Sequence, residues 1–119
     1  MGIFRVRGRL TGPTGLSEDV DLLVDTGASL LVVPQTLADR LELVARRSQR
    51  VLLGGGERTA WPVAEVRLAL EGQEVPTLCF VAPGGPPLLG ALALESLFLA
   101  VDPVAKRLIP IEGYVCAQA

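Results

Sequence analysis

Two largely apolar runs separated by a short polar break constrain this chain more than anything else in it. Val20 to Val24 leads into Asp25-Thr26-Gly27-Ala28-Ser29, and Leu30 to Val33 resumes the apolar pattern. Four or five such residues suit a buried strand better than a helix. A strand that stops at an acid, a hydroxyl and a glycine and then restarts presents one carboxylate at a tight turn. Gly27 lets the chain turn sharply and lets its N–H approach the carboxylate.

The rest of the composition agrees with a β-rich chain. Half of the 119 residues are apolar, aromatics are 4%, and there are 13 Gly and 9 Pro. That suits many short strands and turns in an all-β fold. The length predicts one domain, residues 1–119. A net charge of −2 gives no case for nucleic acid, and Arg46-Arg47 with Arg50 reads as a solvated loop. The absence of His removes Ser-His-Asp and Cys-His catalysis and His-ligated metals. Cys79 and Cys116 lack a metal-ligand spacing; two idle thiols are the default reading and one disulfide stays open. Met1 to Leu10 has no signal-peptide core, and no apolar run is long enough for a membrane helix. A soluble cytoplasmic protein, with no membrane or nucleic-acid partner, is the expectation.

The pattern predicts strands over 3–10 and 17–24 as a hairpin, and a third over Leu30 to Pro34. Pro34 opens a helix from Gln35 to Leu43. Arg50 to Leu53 and Thr59 to Leu70 flank Gly54-Gly55-Gly56 as a second hairpin with a mobile tip, and Pro62 marks an edge or bulge. Trp61, the only Trp, is expected to pack under that hairpin. Val75 to Ala82 is a strand, Leu88-Leu89-Gly90 leads into a helix over Ala91 to Leu97, and two short strands follow at Leu99–Asp102 and Arg107–Ile111. Each apolar strand that feeds a short helix, at Leu31–Pro34 and at Leu88–Gly90, echoes the other.

One carboxylate is a weak catalyst, whereas two held together cannot both ionise cheaply and share a proton. The ionised member can then activate a water while its protonated partner donates to a substrate carbonyl oxygen. Such chemistry needs no metal and no cofactor. No second acid in this chain has the setting of Asp25, so a dyad requires a second copy across a two-fold axis.

With those residues in order, the chain resembles the retropepsin-like aspartic peptidases, bacterial and cellular branch. Asp25-Thr26-Gly27-Ala28-Ser29 matches the catalytic motif. The glycine-tipped hairpin at 52–62 falls where the family has its flap, and Leu88-Leu89-Gly90 matches the apolar-apolar-Gly signature before the last helix. The resemblance implies a closed-barrel-like half enzyme that acts as a homodimeric endopeptidase on extended peptides. By it, Asp25 is the catalytic acid, Thr26 braces the loop across the dimer axis, and Gly27 and Ala28 shape that loop. Ser29, Gly54, Gly55, Gly56 and Leu88 would meet substrate, with Leu89 and Gly90 packed beneath. Pocket walls are expected from Leu30, Val32, Leu53 and Leu88. Ile3 to Val6 and Tyr114 to Cys116 are candidate pairing strands between subunits.

Two positions depart from the viral pattern. Ala91 stands where viral members carry Arg, and Ser29 where many carry an acid. Ala28 has no hydroxyl to favour a charged dyad, so activity is expected to reach from mildly acidic toward neutral pH. The alternative reading is a catalytically silent dimerisation or peptide-binding module of the same fold.

Overall fold

The first hairpin shows how alternation builds this molecule. In the computed structural model, which describes residues 3–115, β1 (Arg5–Thr11) pairs antiparallel with β2 (Ser17–Val24) from Arg5 opposite Leu23 to Thr11 opposite Ser17. Gly8, Leu10, Val20 and Leu22 turn inward and are buried. Their neighbours turn to solvent, where Arg7 pairs with Asp21 at 3.1 Å and Arg9 with Asp19 at 2.9 Å. One face makes core and the other makes solubility.

The strands that follow are β3 (Leu31–Pro34), β4 (Arg47–Leu52), β5 (Arg58–Leu70), β6 (Gln73–Ala82) and the two-residue β7 (Leu88–Leu89). The sheet order is β1-β2-β7-β3-β6-β5-β4. A further antiparallel pairing, Arg9 to Thr11 against Ala69 to Arg67, joins β1 to β5 and closes the sheet into a ring. The all-β, closed-barrel-like architecture read from the sequence is what the chain adopts. β8 (Leu99–Asp102) and β9 (Arg107–Pro110) form a separate small ribbon.

Only part of the long strand β5 is held in the ring. Val63 to Leu70 pairs with β6, whereas Arg58 to Val63 pairs with β4. The β4–β5 hairpin therefore projects from the body. Pro62 lies opposite Ser48, just before the β6 pairing begins. There its missing N–H disrupts no second ladder, as expected for an edge position.

Leu10, Leu22, Leu31, Leu68, Leu89, Leu97, Val33 and Val63 are among the fully buried side chains, with Cys79. Two six-residue helices, α1 (Gln35–Arg40) and α2 (Ala91–Ser96), cover this core with Leu37, Ala38, Ala93 and Leu94. Both are shorter than the sequence pattern predicts. Each stops because the residue after its C-cap adopts a left-handed conformation, Glu42 (φ 56°) and Phe98 (φ 53°). Glu42 and Leu43 then donate back to the carbonyls of Asp39 and Ala38, a double bond that ends the helix. The echo of strand feeding helix is therefore real in structure, down to the same kind of stop.

Two further expectations change. Arg47 is not in a loop but opens β4, which therefore starts before the Arg50 expected for this strand, because the ladder extends from Leu52 opposite Arg58 back to Arg47 opposite Val63. Ile3 and Phe4 precede β1 and are not in a strand, although the Phe4 carbonyl accepts the Val24 N–H at 3.0 Å. Tyr114 and Val115 are exposed and outside regular structure, while Cys116 lies outside the described residues. Among the described residues no helix is long and apolar enough to cross a membrane.

Candidate active site

Asp25 stands where β2 ends, and the backbone around it is held from three sides. β7 threads between β2, to which it is parallel, and β3, to which it is antiparallel. The strands on either side of the 25–30 loop are thus tied to one central strand rather than to each other. The Asp25 N–H donates to the Leu89 carbonyl at 3.0 Å, and the Ala28 N–H donates to the Asp25 carbonyl at 3.1 Å to close the turn.

The third support comes from α2. The first N–H groups of a helix have no partner within it. Here the Ala91 N–H donates to the Ala28 carbonyl at 2.8 Å and the Leu92 N–H to the Ser29 carbonyl at 3.0 Å. No side chain caps this helix, so the loop serves as its cap. Gly90 makes the approach possible. A Cβ there would lie 2.7 Å from the Ala28 carbonyl oxygen and inside contact distance of the Leu30 carbonyl oxygen. The position needs the space of a glycine, not its conformational freedom, since its φ of −94° is ordinary.

Within the loop, the Gly27 N–H donates to Asp25 Oδ1 at 2.9 Å. A Cβ on Gly27 would meet that same oxygen at 3.2 Å, so the glycine admits the carboxylate closely. Among the described residues no other group donates to the Asp25 side chain. The Thr26 and Ser29 side chains are exposed and have no hydrogen-bond partner among the described residues.

Asp25 lines two hollows. The larger, about 620 Å³, is walled by Val32, Val51, Leu53, Trp61, Phe80 and Leu88, with Gly27, Ala28, Ser29, Arg50, Leu52 and Gly54. The second, about 390 Å³, lies against Thr26 and is otherwise apolar, lined by Ile3, Phe4, Leu23, Val24, Val101 and Pro103. Asp25 is the only acid lining either among the described residues.

Several sequence-predicted residues meet here: Asp25, Gly27, Ala28, Ser29, Gly54 and Leu88 share the large groove, with Val32 and Leu53 as walls. Leu30 is not among its lining residues, nor are Gly55 and Gly56. Those two glycines sit in a hydrogen-bonded turn, closed by Leu53 N–H to the Glu57 carbonyl (2.8 Å) and Gly56 N–H to the Leu53 carbonyl (2.9 Å). Gly56 takes a φ of 90°, which requires glycine. Leu89 and Gly90 are buried.

Sequence reasoning missed Phe80 and Arg50, and placed Trp61 only under the hairpin. Trp61 does pack there, edge-to-face with Phe80 at 6.1 Å and 73°, yet both rings also wall the groove. Strand alternation was the available signal: Cys79 points into the core, so Phe80 must point the other way.

Comparison with known proteins agrees with this geometry. Residues 6–94 match the model of a family described as aspartyl protease. Solved structures with the same fold include EIAV protease complexed with the inhibitor HBY-793, at 21% identity and a TM-score of 0.63, covering 81% of this chain and 88% of that one. Simian foamy virus protease aligns at 15% identity and a TM-score of 0.58, covering 79% and 94%. At these identities the structural likeness speaks for the fold alone. No curated protein matches the chain significantly.

Proposed function

The chain belongs to the aspartyl protease family, and we propose that residues 1–119 form one peptidase domain that works as half of a homodimeric endopeptidase. The observation that carries this reading is the solitary carboxylate. A groove built for an extended ligand holds one acid, Asp25, while metal-free peptide hydrolysis by carboxylates needs two. A second copy related by a two-fold axis through the Asp25–Gly27 turn supplies the other.

Features beside the turn support pairing. The Thr26 hydroxyl is exposed next to an apolar hollow, and Ile3 on that hollow's rim is 65% exposed. Such surface gains by meeting a partner. Thr26 then bonds its own copy, and Gly27 and Ala28 hold the two acids in register.

In the dimer the two Asp25 side chains share one proton and titrate as a pair. The ionised carboxylate takes a proton from a water held between them as that water attacks the peptide carbonyl. The protonated carboxylate donates to the carbonyl oxygen. The carboxylate that took the water proton passes it to the amide nitrogen while the other takes a proton from a hydroxyl of the tetrahedral intermediate, so the C–N bond breaks and the singly protonated dyad is restored. The β4–β5 hairpin acts as a flap whose Gly54, Gly55 and Gly56 close over the peptide. Ser29 hydrogen-bonds the peptide backbone without adding charge. Val32, Leu53, Phe80 and Leu88 favour apolar side chains beside the bond cleaved, and a β-groove reads alternate residues of an extended chain.

The test is cleavage of a diverse peptide library by wild type and Asp25→Asn across acidic to neutral pH, with sedimentation to follow the dimer. Cuts made by wild type and lost in the variant support the proposal. Activity should also fall faster than linearly on dilution. A folded protein that binds peptides but cuts none would replace this reading with that of a silent binding module.

A further inference from the structure

One row of paired residues crosses the sheet along the groove. Leu23 of β2 faces Leu88 of β7, Leu88 faces Val32 of β3, Val32 faces Phe80 of β6, and Phe80 faces Val63 of β5. Residues paired in this way share one face of a sheet. The row begins on the strand that ends beside Asp25, and Leu88, Val32 and Phe80 all line the groove. β6 lies three places from β2 in the sheet, about 14 Å at the usual strand spacing. An extended peptide covers that distance in about four residues.

Trp61 meets the row at its far end. It precedes Val63 by two residues in β5, so it is the diagonal neighbour of Phe80 on the same face. The two rings stand edge to face, with centroids 6.1 Å apart and planes at 73°. Both side chains are half-buried, so ring surface is left toward the groove that they wall. Pro62 restricts the residue before it to extended backbone, which fixes where Trp61 starts from. The corner is shared between two parts of the molecule. Phe80 belongs to the closed sheet, whereas Trp61 sits opposite Gln49 on the projecting hairpin.

We propose that Trp61 and Phe80 form an aromatic subsite that selects peptides carrying Phe, Tyr or Trp within four residues of the bond cleaved. The inference rests on the peptidase reading above and narrows its substrate class: one aromatic side chain in addition to the apolar ones. An aromatic ring has a negative face and a positive edge, so rings gain from edge-to-face contact beyond the area they bury. A third ring lodged in the corner makes such contacts with both walls. A saturated ring of the same size fills the space and gains the area alone. Because one wall is on the hairpin and the other on the body, a lodged ring also holds the hairpin down over the peptide. The proposed dimer presents this corner twice, once on each side of the bond.

The experiment uses matched peptides with Phe, cyclohexylalanine or Ala placed in turn at each of the four positions on either side of the cleaved bond. At one position on at least one side, wild type should prefer Phe to cyclohexylalanine in kcat/KM by roughly threefold, as expected for an aromatic contact, and Phe to Ala by more. Trp61→Leu and Phe80→Leu, read separately so that a folding defect in one leaves the other informative, should each bring the Phe to cyclohexylalanine ratio close to one. Trp61→Phe should retain most of it. A ratio near one at every position in wild type, or a preference that persists in the Leu variants, overturns the proposal. If no peptide is cut, the same peptides are measured for binding to Asp25→Asn. A preference for Phe that is lost with Trp61→Leu then supports this inference although the peptidase reading has failed, and no preference overturns it.

Discussion

Replacing Gly90 by Ala tests whether α2 truly holds the turn that carries Asp25. The new Cβ collides with the Leu30 carbonyl and lies 2.7 Å from the Ala28 oxygen. Both obstacles are backbone, so no side chain can swing away. Relief requires α2 to move off the loop, which stretches the bonds from Ala91 N–H to Ala28 (2.8 Å) and from Leu92 N–H to Ser29 (3.0 Å). Two such bonds contribute about 1–3 kcal/mol together, and overpacking costs about 1–3 kcal/mol more. The reduced chain entropy of Ala returns at most about 1 kcal/mol. The net loss is about 1–5 kcal/mol against a total stability of order 5–15 kcal/mol, or a drop in melting temperature of roughly 5–20 °C. Thermal unfolding at fixed protein concentration reads this. Two other glycines calibrate it. Gly12→Ala collides with the Leu41 carbonyl, far from Asp25, and should lose stability while keeping its activity per folded molecule. Gly54→Ala meets nothing within 4 Å and should melt close to wild type. Gly90→Ala should lose both stability and activity per folded molecule. A Gly90→Ala protein that melts and cleaves like wild type would refute the bracing role of α2.

Other outcomes follow from single residues. Burial pushes the Cys79 thiol from 9.0 up to about 12. Its contribution to stability is therefore intact below pH 9.0 and is lost as pH rises toward 12; in a Cys116→Ser background, Cys79 should resist thiol reagents near neutral pH until the protein is unfolded. The Arg40 guanidinium, bonded to Glu18 at 2.7 and 3.1 Å, holds that carboxyl below 4.5. The stabilisation it provides is present above 4.5 and disappears as acid protonates the folded form, so wild type and Glu18→Gln should differ slightly in melting temperature at neutral pH and converge in acid. Trp61 walls the groove against Phe80. Peptide added to Asp25→Asn should shift its emission to shorter wavelength, and an unchanged spectrum at saturating peptide would show that the ligand lies elsewhere.

Much of the fold was legible because the relevant signals are local. Alternation along 17–24, the polar break at 25–29 and the Gly-rich turns place most strands within a residue or two. Helix ends were not legible. Glu42 and Phe98 adopt left-handed conformations that sequence rules assign to Gly or Asn, and tertiary packing rather than propensity decides them. The extent of β4 was hidden for a related reason. Arg47 to Arg50 is polar on both faces and becomes a strand only because β5 offers it a ladder.

The site divides along the same line. Asp25, Gly27 and Leu88-Leu89-Gly90 were readable because each must satisfy a backbone demand that few residue types meet: a close N–H, a two-residue strand between two others, a helix start pressed on a carbonyl. The groove walls were not, because their common feature is position in three dimensions. Val32, Phe80 and Leu88 come from three neighbouring strands, β3, β6 and β7, and Arg50 and Trp61 from a hairpin that crosses above them. Catalysis of this type asks little of those walls beyond shape, so their residue types are free to vary and leave no motif. They are the positions where substrate choice can be written. A chain organised this way can change what it cuts through β4 and β5 while β7 and α2 keep the chemistry in place.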